Sequence, residues 1–101
     1  MKPVVGTVAV LGGMDPSGGA GLLRDTWAIE RRRAPLDVRA VATALTRQGD
    51  GQPARAEATA ADRLRDELDD LLELEPLLAV KIGLVPEDAV DAVARFLSAV
   101  R

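Results

Sequence analysis

The chain has 101 residues, 48% of them apolar and 29% charged, with 13 Lys+Arg against 16 Asp+Glu and a formal net charge of -3. One small domain, or a piece of one, is all that residues 1–101 allow. The absence of Cys and His excludes disulfide scaffolds, thiolate metal sites and imidazole catalysis, and with only Trp27 and Phe96 as aromatics there is no stacking platform for single-stranded nucleic acid.

Val8-Ala9-Val10-Leu11 is a short apolar run that stops at Gly12-Gly13, as a buried strand does. Gly12 to Gly21 holds five glycines and Pro16, the composition of a loop. Leu22, Leu23, Thr26, Trp27 and Ile29 then recur at near-helical spacing, which predicts a helix over about 19–33, ended by Ala34-Pro35. Val38 to Leu45 is the second strand candidate, and the polar stretch Thr46 to Ala58, with two glycines and Pro53, reads as a long connection. Thr59 with Asp62 three residues on resembles a capping box, opening a helix with Leu64, Leu68, Leu71 and Leu72 on one face and an acidic, solvated other face.

Pro76 ends that helix, and Leu77 to Val85 is the third strand candidate. Pro86 fits the first turn of a last helix, with Glu87 and Asp88 at its positive end and Val90, Val93, Ala94 and Leu97 as its inward stripe. The order β-α-β-α-β-α implies an α/β fold: a parallel sheet between two helical layers, with right-handed crossovers. Three parallel strands are narrow for a sheet that needs both faces covered. The expectation is therefore one end of a larger sheet, completed by more of the same polypeptide, by a second chain or by a homo-oligomer.

Charge is uneven: residues 1–50 carry seven Lys+Arg and five Asp+Glu, whereas residues 51–101 carry six and eleven. An acidic half and a mild total argue against nucleic-acid binding. The basic run Arg31-Arg32-Arg33 reads as a solvated helix C-terminus, with a phosphate or anionic-partner contact as the sharper alternative. No apolar run approaches the roughly 20 residues of a membrane span. Met1 to Gly6 lacks a long apolar signal core, so the expected location is the cytoplasm.

The loop from Gly12 to Gly21 lies between a strand and a helix, where open α/β sheets gather ligands and free backbone N–H groups meet them. It serves equally as a tight turn whose glycines only pack. Neither the P-loop nor the dinucleotide fingerprint fits: Gly18 is followed by Gly19 rather than Lys, and Gly19-Ala20-Gly21 is followed by Leu22-Leu23-Arg24.

Asp15-Pro16-Ser17-Gly18-Gly19-Ala20-Gly21 followed by Asp25, then Thr43-Ala44-Leu45-Thr46-Arg47-Gln48, then Val80-Lys81-Ile82-Gly83-Leu84, resemble in order the signatures of the hydroxymethylpyrimidine/phosphomethylpyrimidine kinases. These are the thiamin-pathway members of the ribokinase-like superfamily. The resemblance covers nearly the whole chain but only the N-terminal portion of a family member. It implies a kinase that phosphorylates 4-amino-5-hydroxymethyl-2-methylpyrimidine and its monophosphate with ATP. By motif matching Gln48 would hydrogen-bond the aminopyrimidine edge, Gly13 and Ala20 would lie against the ring, and Thr46 and Leu84 would line the pocket. Asp25 matches the motif's acidic helix position and is expected to be structural.

A carboxamide offers a donor and an acceptor, which suits that edge, although an exposed loop glutamine is the plain reading of Gln48. Lys81 is either a pocket cation near the bound alcohol or phosphate, or a strand-end lysine facing solvent or a carboxylate. Met14 departs from the family's small hydroxyl residue, Leu84 from a methionine and Gly49-Asp50 from Asn-Thr, and Arg31–Asp37 is slightly long and lacks the usual glycines.

The family's anion-hole segment, general base and ATP site lie in a C-terminal portion that has no counterpart in residues 1–101. No catalytic, cofactor or metal-binding residue is assigned here. ATP and Mg belong to the complete enzyme, and the chain alone is expected to bind neither and to be inactive. Two further readings stand beside the enzyme part: a non-catalytic pyrimidine-binding sensor, and a small oligomeric assembly domain whose glycine loop is only a turn.

Overall fold

In the computed structural model of the chain, residues 4–15, 21–33, 35–49, 52–74 and 76–100 are described, with 47–49 and 52–54 as backbone only. The elements run β1 (Gly6–Met14), α1 (Gly21–Glu30), β2 (Leu36–Gly49), β3 (Gln52–Ala58), α2 (Ala61–Leu72), β4 (Leu77–Ile82), a 3-10 turn (Glu87–Ala89) and α3 (Val90–Ala99). The four strands form one sheet in the order β3-β2-β1-β4. β1 is parallel to both β2 and β4, as the alternation of elements requires.

β1 carries the core on both faces, so it reads as a continuous apolar run. Ala9 and Leu11 point to one side, where they join Val41, Leu64, Leu68, Leu71, Ala89, Val93 and Phe96 in one buried cluster beneath α2 and α3. Successive strand residues face opposite ways, so Val10 points to the other side. There α1 packs on β1 and β2, with Leu22 buried. The result is the expected three-layer α/β arrangement, mostly parallel, with helices on both faces. None of the described helices is long and apolar enough to cross a membrane.

Several expectations are corrected. Thr46 to Ala58 is not a loop: β2 runs on to Gly49 and pairs antiparallel with β3, from Ala44↔Ala58 to Gly49↔Gln52. β1 stops opposite Leu45, so the pair projects beyond it as a two-stranded ribbon. The polar composition that suggested a connection is what a ribbon with little to bury carries; Arg55, Ala56, Glu57 and Ala58 are all exposed.

Thr59 does not cap α2, whose N-cap is Ala60 without a side-chain bond. Its hydroxyl instead donates to Ala42 O at 2.7 Å, and its N–H to Thr43 O, fastening the end of β3 to β2. β4 ends at Ile82, before Gly83-Leu84-Val85. Pro86 precedes the 3-10 turn, which delays the α-helix to Val90.

That turn rotates the last helix relative to its expected phase. Ala89, Val93 and Phe96 face the core and Val100 packs against it, while Val90 and Leu97 are exposed. Leu23 and Trp27 are likewise exposed, because α1 buries only the side holding Leu22.

α1 ends at Glu30, and Arg31-Arg32-Arg33 forms the turn that follows. Arg33 closes that turn in the left-handed region, φ 55, with its N–H on Glu30 O. A side chain in that region costs roughly 1–2 kcal/mol, part of which glycine's greater unfolded-state freedom offsets. Arg33→Gly is therefore expected to raise the unfolding free energy by about 0.5–1 kcal/mol in a urea titration; no change, or a loss, contradicts this reading of the turn.

Candidate functional site

The connections leaving β1 and β4 depart to opposite faces of the sheet, β1 toward α1 and β4 toward α3. Such a divergence opens a crevice at the carboxyl ends of the two strands, where α/β sheets hold ligands. A cavity of about 330 Å³ occupies that place, lined by Gly12, Gly13, Asp15, Gly21, Asp25, Thr46, Lys81, Gly83 and Leu84.

Its floor depends on missing side chains. The chain leaving β4 crosses the end of β1 at Gly12-Gly13. A Cβ on Gly13 would meet Thr46 Cγ2 at 2.9 Å and Leu84 Cδ2 at 3.1 Å. Gly21, at φ +66, opens α1 so close to β1 that a Cβ there would lie 2.4 Å from Gly13 O. Only glycine meets both the φ and the contact. Gly83 continues the path with its N–H on Leu11 O at 2.7 Å.

Two threonines of β2 hold the crossing in place. Thr43, fully buried, donates from Oγ1 to Leu84 O at 2.6 Å, reaching past the side-chain-free end of β1. Thr46 Oγ1 donates to Met14 O at 3.3 Å, and its methyl faces the floor beside Leu84.

The charged groups stand around this apolar floor. Lys81, on the α1 side of β4, donates from Nζ to Asp25 Oδ2 of α1 at 2.5 Å, both partly exposed. The pair spans the cavity from sheet to helix. Asp15 is buried at the end of β1. The described lining thus holds two carboxylates and one ammonium. Among the described residues no group of three or more His, Cys, Asp or Glu is placed to hold a metal ion.

Of the residues singled out in the sequence, Gly13, Thr46, Lys81 and Leu84 line this one cavity. Gln48 lies on β2 two residues beyond Thr46, in the projecting ribbon, with its side chain outside the described residues. Ala20 and the rest of 16–20 also lie outside the described residues. Met14 does not line the cavity; its carbonyl accepts from Thr46 and its backbone bridges to Gly21. Asp25 pairs with Lys81 and also faces the cavity. Gly12, Gly21 and Gly83 were legible only as glycines; their contribution is the space a Cβ would fill.

No protein-family model matches the chain. Solved structures do. Phosphomethylpyrimidine kinase from Clostridium difficile 630 matches with a TM-score of 0.76 and 26% identity, over 91% of this chain and 39% of that one. Pyridoxal kinase from Staphylococcus aureus, in complex with AMP-PCP and pyridoxal, matches with a TM-score of 0.81 and 19% identity, over 97% of this chain and 36% of that one. An ADP complex of Bacillus subtilis pyridoxal kinase matches with a TM-score of 0.76 and 19% identity, over 92% and 36%. The chain spans less than two-fifths of the length of these kinases. Its fold is that of the N-terminal part of ribokinase-like kinases.

The Thr43 bond gives a direct test of the site's construction. Thr43→Val keeps the shape and leaves Leu84 O without its donor, at an expected cost of about 1–3 kcal/mol in unfolding free energy. Thr43→Ser retains the donor and should recover part of the loss. Equal stability of the Val variant and the parent would mean that the bond does not hold the crossing.

Proposed function

We propose that this chain is the alcohol-binding part of a ribokinase-like kinase, and that its substrate is an aminopyrimidine carrying a hydroxymethyl group, free or as its monophosphate. One observation carries the reading. Asp15, Gly21 and Asp25, then Thr46, then Lys81, Gly83 and Leu84 come from three separate sequence segments that resemble the hydroxymethylpyrimidine kinases, and with Gly13 they surround a single crevice at the sheet's switch point. The likeness to phosphomethylpyrimidine kinase over 91% of the chain supports the same substrate class.

The chemistry agrees. A flat, mostly uncharged ring suits a floor of glycine backbone with Leu84 and the Thr46 methyl beside it. An excess of one carboxylate in the described lining disfavours a polyanion such as a nucleotide triphosphate. Lys81 is the cation available to a single phosphate or to the alcohol oxygen. In this reading Gln48 supplies the donor–acceptor pair for the aminopyrimidine edge and Ala20 closes over the ring.

Phosphoryl transfer needs the transferred group to be positioned and its charge stabilised. Those parts belong to the complete kinase, which would bind ATP and Mg and hold the general base. The edge of β4, unpaired among the described strands, is where the sheet continues, through more of the polypeptide or a second chain. The complete protein works in the cytoplasm.

Calorimetry with the chain should therefore detect 4-amino-5-hydroxymethyl-2-methylpyrimidine, bound more tightly than pyridoxal. Gln48→Ala should weaken it about tenfold or more, with the loss of its donor–acceptor pair of hydrogen bonds to the ring edge. A coupled ADP-release assay should show no pyrimidine-dependent turnover by the chain alone. Tighter binding of pyridoxal, or no binding of either alcohol, overturns the substrate assignment, and turnover by the isolated chain overturns the division of labour.

A further inference from the structure

The outward face of α1 has no part in the cavity. It carries Arg24 and Trp27, and Arg31 at the start of the turn that follows, its N–H on Trp27 O at 2.9 Å, extends the stripe at i, i+3 and i+7, opposite the side that buries Leu22. Trp27, the sole tryptophan of the chain, is 45% exposed. Both guanidinium groups lie over its ring, at 4.4 Å for Arg24 and 5.0 Å for Arg31. Trp27, Ala28, Arg31 and Arg32 border a shallow cleft of about 340 Å³. A half-exposed indole between two arginines, neither of them in an ion pair among the described residues, has the composition of an interface centre.

The complementary surface lies on the same chain. α2 presents Asp62, Asp66 and Asp69 opposite its buried leucine stripe, all exposed. Among the described residues of α2, only Arg63 and Glu67 are ion-paired with each other, at 3.3 Å. Asp62 and Asp69 stand seven residues apart, as do Arg24 and Arg31. Seven residues rise roughly 10 Å on any α-helix, so the two charge pairs match in spacing. An antiparallel approach sets Arg24 against Asp69 and Arg31 against Asp62, with Trp27 on the residues between. One molecule cannot make this contact with itself, because α1 and α2 cover opposite faces of its sheet.

We propose that the α1 face binds the acidic α2 face of a second copy of this chain, in a head-to-tail contact. Two different patches meet, so the association is heterologous and can extend beyond a dimer. Two short helix faces make a small interface, so the complex is transient and weakens as salt screens the charges.

Sedimentation velocity of the intact chain over a concentration series, in low and high salt, tests this. The expected result is concentration-dependent growth in low salt that disappears in high salt, with Trp27 emission shifting in step. Arg24→Glu with Arg31→Glu, and separately Asp62→Lys with Asp69→Lys, should each abolish growth while leaving the far-ultraviolet circular dichroism unchanged. Mixing the two variants should restore a complex, because the mixture again pairs opposite charges. A monomer at every concentration, association indifferent to either reversal, or a mixture that stays monomeric overturns the proposal. So does binding of the α1 face to an unrelated polyanion without self-association. None of these readouts involves the cavity, so they stand apart from any failure of the substrate assignment.

Discussion

The structure turns on a close approach of backbone at the end of β1. Gly13 must have no side chain for Leu84 and Thr46 to meet above it, and Gly21 must have none for α1 to begin against the Gly13 carbonyl. With those two positions bare, the chain leaving β4 can cross toward β2 and receive the Thr43 hydroxyl. Three strands are thereby tied at one point without a side chain filling the space between them. The crevice that remains is a consequence of how the sheet is closed at its carboxyl end, rather than a hollow left by loose packing.

That construction separates two tasks. The other face of the sheet, under α2 and α3, holds the apolar cluster that stabilises the domain. The carboxyl end offers backbone, one aliphatic side chain, a threonine methyl and a cross-cavity ion pair. Rigid strands set the positions of these groups, so the surface is formed beforehand. Tying Lys81 to Asp25 keeps the one lining ammonium of the described residues at a fixed place between helix and sheet. β4, by contrast, has most of its residues partly or well exposed, and its outer edge is unpaired among the described strands.

The parallel core was legible because it follows local rules. Val8 to Leu11, stopped by two glycines, has the composition of a strand covered on both faces, and Leu64, Leu68 and Leu71 have the spacing of a helix with one buried side. The ribbon was illegible because Thr46 to Ala58 shows no apolar pattern; of its described side chains, Arg55 to Ala58 are all exposed. The phase of α3 was missed because the 3-10 turn before it shifts which residues face inward, making Phe96 core and Leu97 surface. At the site, Gly13, Thr46, Lys81 and Leu84 could be singled out by resemblance. The pairing of Lys81 with Asp25 could not, since the partners are 56 residues apart and meet only through the crossover. Trp27 shares the near-helical spacing that predicted α1, and it is exposed because the sheet covers only the Leu22 side of that helix.

The central claim is that the glycine-lined crevice between β1 and β4 is where the ligand sits. Amide chemical shifts of the isotope-labelled chain, followed during titration with 4-amino-5-hydroxymethyl-2-methylpyrimidine, test it most directly. The Gly12, Gly13, Gly21, Gly83 and Leu84 amides are expected to move, with α2 and α3 unaffected. Shifts confined to another surface, such as the outer face of α1, or none at saturating ligand, would contradict it.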